Sequence, residues 1–439
     1  MTLTSATEIE TVRRLRDLLD RALSAVSPAV ALPPHLAALR QRTIPGRQVV
    51  LALGKAADSL FATACATLDR PLSGLVIAPA AAVAADPPGG AQAFQRIAAG
   101  HPVPDRGSLR AGQAALALAR GLGEGDHLLA LVSGGGSALM CAPAPGVTLA
   151  EKQALTRSLL RCGATISEIN GVRKHLSRVK GGRLALAAFP ATVETLALSD
   201  VPGDDPQLIA SGPTLPDPST LAEARAVLQR HGLTPPPAIL RALSDPANET
   251  LKPDDPRAAG LGVRIIARGA DALAAAAATA EATGVPTTIL GTDLQGEARD
   301  LGTRHGALVR ALPPADGPRL LLSGGETTVT VTHRHGRGGP NLEYLLALAI
   351  ALDGAAGVHA LACDTDGQDG TEPVAGAVIT PSTLARARHL GLDAPSHLAR
   401  NDSHGFFAAL GDLVITGPTG TNANDFRVIW ISPSQTAGS

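Results

Sequence analysis

The stretch LLALVSGGGSALMCAP, residues 128–143, constrains this chain more than any other. Residues 128–132 are a short continuous apolar run closing on valine, the pattern of a strand buried on both faces. Ser133-Gly134-Gly135-Gly136-Ser137 breaks the run, and Ala138, Leu139 and Met140 favour helix, so a strand, a turn and a helix are expected in that order. Three glycines allow positive φ and a close approach of ligand to backbone. Their N–H groups, leading into a helix N-terminus, suit an anion such as phosphate or carboxylate. A tight turn needing glycine only for packing would read the same way. The turn is not a Walker A loop, because no Gly-Lys-Ser/Thr follows, nor G-x-G-x-x-G, because Leu139 stands at the third glycine position. A second strand and turn, Leu320-Leu321-Leu322-Ser323-Gly324-Gly325-Glu326, repeats the pattern. Two such turns far apart argue for two sheets presenting loops to a common cleft.

A length of 439 residues suits two domains, and with 45% hydrophobic but only 2% aromatic residues their cores must be filled by Ala, Leu and Val. A net charge of -1 excludes broad attraction to nucleic acid or anionic membrane. No apolar run approaches the ~20 residues of a membrane helix, and the polar N-terminus lacks a signal-peptide core. Cys65, Cys141, Cys162 and Cys363 are scattered without C-x-x-C and read as reduced thiols. A soluble, cytoplasmic protein is expected, with a homodimer left open.

Along the chain, residues 6–26 have the apolar spacing of an amphipathic helix. Residues 49–53 form a buried strand ending in Gly54-Lys55-Ala56-Ala57, which puts Lys55 at a strand-to-helix turn, where open α/β sheets bind ligands. A solvated surface lysine fits the same spacing. A strand over 72–78, an Ala-Pro-Gly surface loop and a helix over 108–122 complete the rhythm of a parallel, doubly wound sheet. Thr148 and Glu151 form a capping box. Residues 169–183 pack five Arg or Lys into a short span, including Arg173 and Lys174. Such a run is a solvated helix face or a seat for carboxylate or phosphate.

A strand over 192–198 carries Ser199-Asp200-Val201-Pro202-Gly203-Asp204-Asp205-Pro206, whose aspartates can hold Mg²⁺, orient a hydroxyl or simply make turns. The Pro-rich segment 232–260, with one short helix, is the expected junction between domains 1–240 and 241–439. The second half restarts with a strand at 263–267, a helix at 270–283 and a strand at 287–290. Strands at 320–323 and 327–332, the loop Gly336-Arg337-Gly338-Gly339-Pro340-Asn341, a helix at 342–352 and a strand at 359–363 follow. The last strand feeds Asp364-Thr365-Asp366-Gly367-Gln368-Asp369-Gly370, which has half an EF-hand pattern without its closing Glu. Calcium is therefore rejected in favour of Mg²⁺ or a hydroxyl-rich substrate. The small polar loop 417–425 precedes a terminal strand at 426–431.

Taken in order, these motifs resemble the glycerate 2-kinase family with a MOFRL C-terminal domain. The match runs through Gly54-Lys55-Ala56-Ala57, residues 133–139, the basic run 173–183, residues 198–204, Ser211-Gly212-Pro213-Thr214 and Ser323-Gly324-Gly325-Glu326-Thr327-Thr328. It ends with residues 336–341, Asp366-Gly367-Gln368-Asp369-Gly370 and Thr416-Gly417-Pro418-Thr419-Gly420-Thr421-Asn422. Where many relatives carry arginine after the paired glycines this chain has Pro340, leaving Arg337 as the charged member of that loop.

The resemblance implies a Rossmann-like N-terminal domain and a MOFRL-type α/β C-terminal domain with an interdomain cleft. It also implies ATP and Mg²⁺ as cofactors and phosphoryl transfer to the 2-hydroxyl of D-glycerate. Within that chemistry the candidate catalytic residues are Lys55, Asp200 and Arg337. Ser133, Gly134, Gly135, Gly136, Ser137, Ser323, Gly324 and Gly325 are candidates for ATP phosphates. Arg173, Lys174, Asp366, Asp369 and Asn422 are candidates for substrate, and Asp204 and Asp364 for metal. Relatives also carry the name hydroxypyruvate reductase, but a nicotinamide enzyme would want a G-x-G-x-x-G unit, which this chain lacks. A non-catalytic small-molecule sensor is the third reading.

Overall fold

The structure is a computed structural model that describes residues 5–68, 72–80, 93–314, 316–333 and 335–433. It divides into two compact units, Pro28–Ala267, and Met1–Ser27 together with Arg268–Ser439.

The first unit is built on six strands, β1 (Gln48–Leu53), β2 (Ser73–Pro79), β3 (Ala93–Ala99), β4 (His127–Val132), β5 (Thr192–Leu198) and β6 (Val263–Ala267). Their order is β3-β2-β1-β4-β5-β6, and every neighbouring pair is parallel. This is a doubly wound sheet whose winding reverses between β1 and β4. Every residue of β1 and β4 is buried, which explains their unbroken apolar runs. Helices Ala57–Leu68 and Arg106–Arg120 present mainly Ala and Leu to the strands, as a core poor in aromatics requires.

One carboxylate sets the entry of β1 and β4. Asp126 accepts the Arg47 N–H at 2.7 Å, the Arg47 guanidinium at 2.7 Å and the Gly123 N–H at 3.0 Å. The Arg47 guanidinium, ahead of the two backbone N–H groups, pulls the Asp126 carboxyl down to about 2.

The second unit holds β7 (Thr287–Leu294), β8 (Arg319–Gly325), β9 (Val358–Asp364), β10 (Gly376–Ile379), β11 (Leu413–Val414) and β12 (Asp425–Ile431). The order is β11-β10-β9-β12-β8-β7, and only β7 and β8 are parallel. Helix Pro340–Leu352 packs against this mixed sheet beside Ala298–Ala311.

Several expectations are corrected. The strand at 263–267 does not open the second half; it pairs with β5 and closes the first sheet, so the units part at 267/268 rather than 240/241. The amphipathic N-terminal helix, Ala6–Ala25, belongs to the second unit. There Glu8 accepts from the Ser382 N–H and hydroxyl, and Arg14 lies over the Trp430 ring. Its apolar stripe fixed that it must be buried but not against which core. No strand forms over 327–332; Thr328 makes a lone bridge to Glu297. Part of the expected loop after β2 is instead β3, while 81–92 lie outside the described residues.

Asp126→Asn is expected to lower the unfolding free energy by ~1–3 kcal/mol at pH 7, the cost of a broken charge-assisted cluster, read from urea midpoints. Because the folded carboxyl lies below its ordinary value of 3.8, its contribution is complete above that value and fades as pH falls toward about 2.

Candidate active site

The two sequence motifs of the first unit meet at the carboxyl ends of β1 and β4, where the winding reverses. Gly54, at φ 123°, lies so close to Ser133 that a Cβ would clash with the serine. Across this contact the Ser133 hydroxyl accepts the Ala56 N–H at 3.0 Å, and the Lys55 N–H donates to the Gly134 carbonyl at 2.9 Å. Ser133, fully buried, therefore ties the turns together rather than facing a ligand. Gly135 takes φ 78°, and a Cβ there would meet the His101 ring at 3.0 Å and the Lys55 Cγ at 3.4 Å. His101, Lys55 and Gly135 thus form one wall. The N–H groups of Gly134, Gly135, Gly136 and Ser137 have no acceptor among the described residues. Consecutive amides of this kind form an anion nest.

The basic run separates into distinct roles. Lys174 is buried and held by Asp217 at 3.2 Å and Gln207 at 2.9 Å, so its charge is balanced inside the fold. Arg173 is half-buried, and burial lowers its pKa. Lys152 donates to the carbonyls of Arg173 (3.4 Å) and Leu176 (3.0 Å), and burial brings it down to about 8. Lys180 reaches under the glycine turn to the Ser137 carbonyl at 2.9 Å. The Ser137 hydroxyl meets that of Ser211 at 2.5 Å. Sequence reasoning singled out neither Lys152 nor Lys180, because a run of cations does not reveal which of them points inward.

Asp200 is half-buried one residue past Ser199, at the carboxyl end of β5, the strand beside β4. Asp204 follows in a left-handed conformation, φ 54°, after Gly203. Asp204 and Asp364 lie in different units, and no three His, Cys, Asp or Glu converge as a metal cage among the described residues.

In the second unit the expected phosphate turn 323–325 is the end of β8, paired with β12 through Ser323↔Arg427, Gly324↔Phe426 and Gly325↔Asp425. The repeated SGG pattern thus serves one turn and one strand, and the second copy lacks the loop geometry of the first. Asp369 is 1% exposed and accepts from Asn341 N–H (2.9 Å), Asn341 Nδ2 (3.2 Å) and Leu342 N–H (2.9 Å). It caps helix Pro340–Leu352 from inside the fold, and burial raises its carboxyl to about 7. Asp364 and Asp366 accept the N–H groups of Asp366 and Gln368, so each makes an Asx turn. Asn422 is buried.

Arg337 is 58% exposed and grips Glu372 through Nε (3.1 Å) and Nη2 (2.6 Å). The guanidinium holds the Glu372 carboxyl below its ordinary value. A cavity of about 510 Å³ lined by Val309, Arg319, Leu352 and Asp353 opens at the amino end of β8 and contains no candidate residue.

Comparison with known proteins agrees with these features. Residues 14–244 match the family described as "Domain of unknown function (DUF4147)", and residues 319–425 match the MOFRL family. A protein of Agrobacterium vitis with the provisional name hydroxypyruvate reductase is 46% identical, over 95% of this chain and 94% of its own. The D-glycerate 2-kinase of Thermotoga maritima is 37% identical, over 95% of this chain and 98% of its own. A crystal structure of glycerate kinase from Thermotoga maritima superimposes with a TM-score of 0.84 at 36% identity, covering 96% of this chain and all of that one. Similarity of this extent, through both domains, makes the chain a member of the glycerate 2-kinase family composed of DUF4147 and MOFRL domains.

Proposed function

We propose that this protein is an ATP-dependent glycerate 2-kinase, moving the γ-phosphoryl group of ATP onto the 2-hydroxyl of D-glycerate. The observation that carries the reading is the amide nest of residues 134–137 beside Lys55, at the reversal point of a doubly wound sheet. A dinucleotide enzyme keeps its G-x-G-x-x-G turn at the end of β1; here that turn reads Gly54-Lys55-Ala56-Ala57-Asp58-Ser59. A cation in that position serves phosphate chemistry rather than hydride transfer.

The nest amides bind the phosphate oxygens, and Lys55 lies over the group in transit, where negative charge shifts toward the leaving oxygen. Asp200, at the end of the neighbouring strand, orients the glycerate 2-hydroxyl and accepts its proton. The hydroxyl oxygen bonds to the γ-phosphorus, the bond from phosphorus to the bridging oxygen breaks, and ADP departs with that electron pair. Arg337, gripped by Glu372, is the second unit's candidate for neutralising phosphate charge. Mg²⁺, which needs only one or two protein carboxylates beside phosphate oxygens and water, neutralises nucleotide charge when bound. Asp204, close to Asp200 on a Pro/Gly loop, is a carboxylate of that kind.

Wild-type protein given ATP, Mg²⁺ and D-glycerate should form 2-phosphoglycerate, and NADH with hydroxypyruvate should give no oxidation; the reverse result would establish the reductase. Gly135→Val should raise the KM for ATP at least ~10-fold, since the side chain requires a disfavoured φ and meets His101. Lys55→Met should lower kcat ~100-fold, the usual loss on removing one electrostatic stabiliser. A change confined to KM would reduce Lys55 to uniform binding. Asp200→Asn keeps the shape and removes the base, so kcat should fall while the KM for glycerate changes little.

A further inference from the structure

Lys180 is 1% exposed, yet no carboxylate pairs with it among the described residues. Among the described residues its ammonium donates to two carbonyls, Ser137 at 2.9 Å and Ala210 at 3.5 Å. The positive charges of Arg173, Lys152 and Lys174 oppose its own, the Cys141 thiol acts the other way, and Lys174 is paired with Asp217. Burying an ammonium without a counter-charge is costly, and a fold selected for stability alone would place an apolar side chain there.

A second irregularity lies at the other end of the same contact. Ala210 and Ser211 both take left-handed backbone, φ 49° and 61°, which residues with a Cβ rarely adopt. The result is that Ser211 turns its hydroxyl onto that of Ser137, against the glycine turn. Strained backbone of this kind persists where the surroundings over-determine it, and it concentrates at ligand sites. Here the surroundings include Lys180 on the Ala210 carbonyl, the Ser137–Ser211 contact and the Gly181 N–H on the Ser211 carbonyl.

We infer that Lys180 is a positioning residue of the phosphate site. By holding the Ser137 and Ala210 carbonyls inward, it aims the amides of the glycine turn and the Ser137–Ser211 hydroxyl pair at one polyphosphate. That anion then supplies the counter-charge the fold withholds. The inference rests on the kinase reading for the identity of the anion. It goes beyond that reading in assigning a second loop, Ile209–Ser211, and a buried cation to the site. Burial pushes the Lys180 pKa below that of an ordinary lysine, and a bound anion would act in the opposite direction.

Lys180→Met keeps the length of the side chain and removes the charge. Calorimetric binding of the non-hydrolysable analogue AMP-PNP should weaken at least ~10-fold and the KM for ATP should rise in parallel. Tm should stay at or above wild type, because an unpaired buried charge has been removed. Lys180→Arg, which keeps the charge, should recover part of the affinity. Unchanged AMP-PNP affinity in Lys180→Met, or equal losses of Tm and affinity, would overturn the inference, since a purely structural contact behaves in the second way. If Lys180→Met fails to fold, Ser211→Ala decides: it should raise the KM for ATP with little change in Tm, and a wild-type KM would defeat the proposal. The binding assay contains no glycerate. A protein that binds AMP-PNP through Lys180 but phosphorylates no glycerate would therefore sink the kinase reading and leave this inference standing.

Discussion

The contact between Gly54 and Ser133 is the one on which the arrangement of the first unit's two turns depends. Two parallel strands adjacent at the reversal point send their following helices to opposite faces of the sheet, which opens a crevice between the turns. Without a link those turns would be independent loops. The Ser133 hydroxyl, accepting from Ala56, and the Lys55 amide, donating to Gly134, make them one rigid piece. Lys55 and the amide nest are thereby held at a fixed separation, as positioning to fractions of an ångström requires. Only glycine at position 54 allows the approach.

The second unit solves a different problem with buried polar groups. Arg427, 1% exposed, donates to the Gly324 carbonyl (3.2 Å), the Thr327 hydroxyl (3.0 Å) and Asp425, and lies over the Tyr344 ring. Asp425 accepts from Asn341 at 2.6 Å, and Asn341 donates in turn to Asp369. The chain of contacts runs from strand β12 to the start of helix Pro340–Leu352 and to the Asp-Gly loop. A network of this sort stabilises little in net terms, but removing a single member leaves a buried charge or donor unmatched. It fixes the loop carrying Glu372, and Glu372 in turn fixes Arg337. The aspartates of that loop are thus bound into the scaffold, while Arg337 stays exposed.

Much was legible because local rules decided it. Strand Thr192–Leu198 and the Thr148 capping box follow directly from the sequence, since neither a buried run nor an S/T-x-x-E start needs distant partners. The strand-to-turn sequence at Gly54-Lys55 and at residues 133–137 was legible in the same way, although the spacing alone also fits a solvated lysine and a packing turn. Identical tripeptides misled at 323–325, where SGG lies inside a paired strand, because pairing depends on a partner 100 residues away.

What the sequence by itself determined, then, is the alternation of buried strands and helices, the position of the first glycine turn and the family order of motifs. Tertiary structure alone decided which strands are neighbours, and so that the turns after β1 and β4 touch. It also decided that the N-terminal helix completes the second unit, that Val263–Ala267 closes the first sheet, and that Asp369 caps a helix. It placed Lys180, out of five similar cations, against the Ser137 carbonyl of the glycine turn. The physical reason is common to all of these. Periodicity and turn chemistry act over a few residues, whereas burial of a face or charge is defined only by what packs against it.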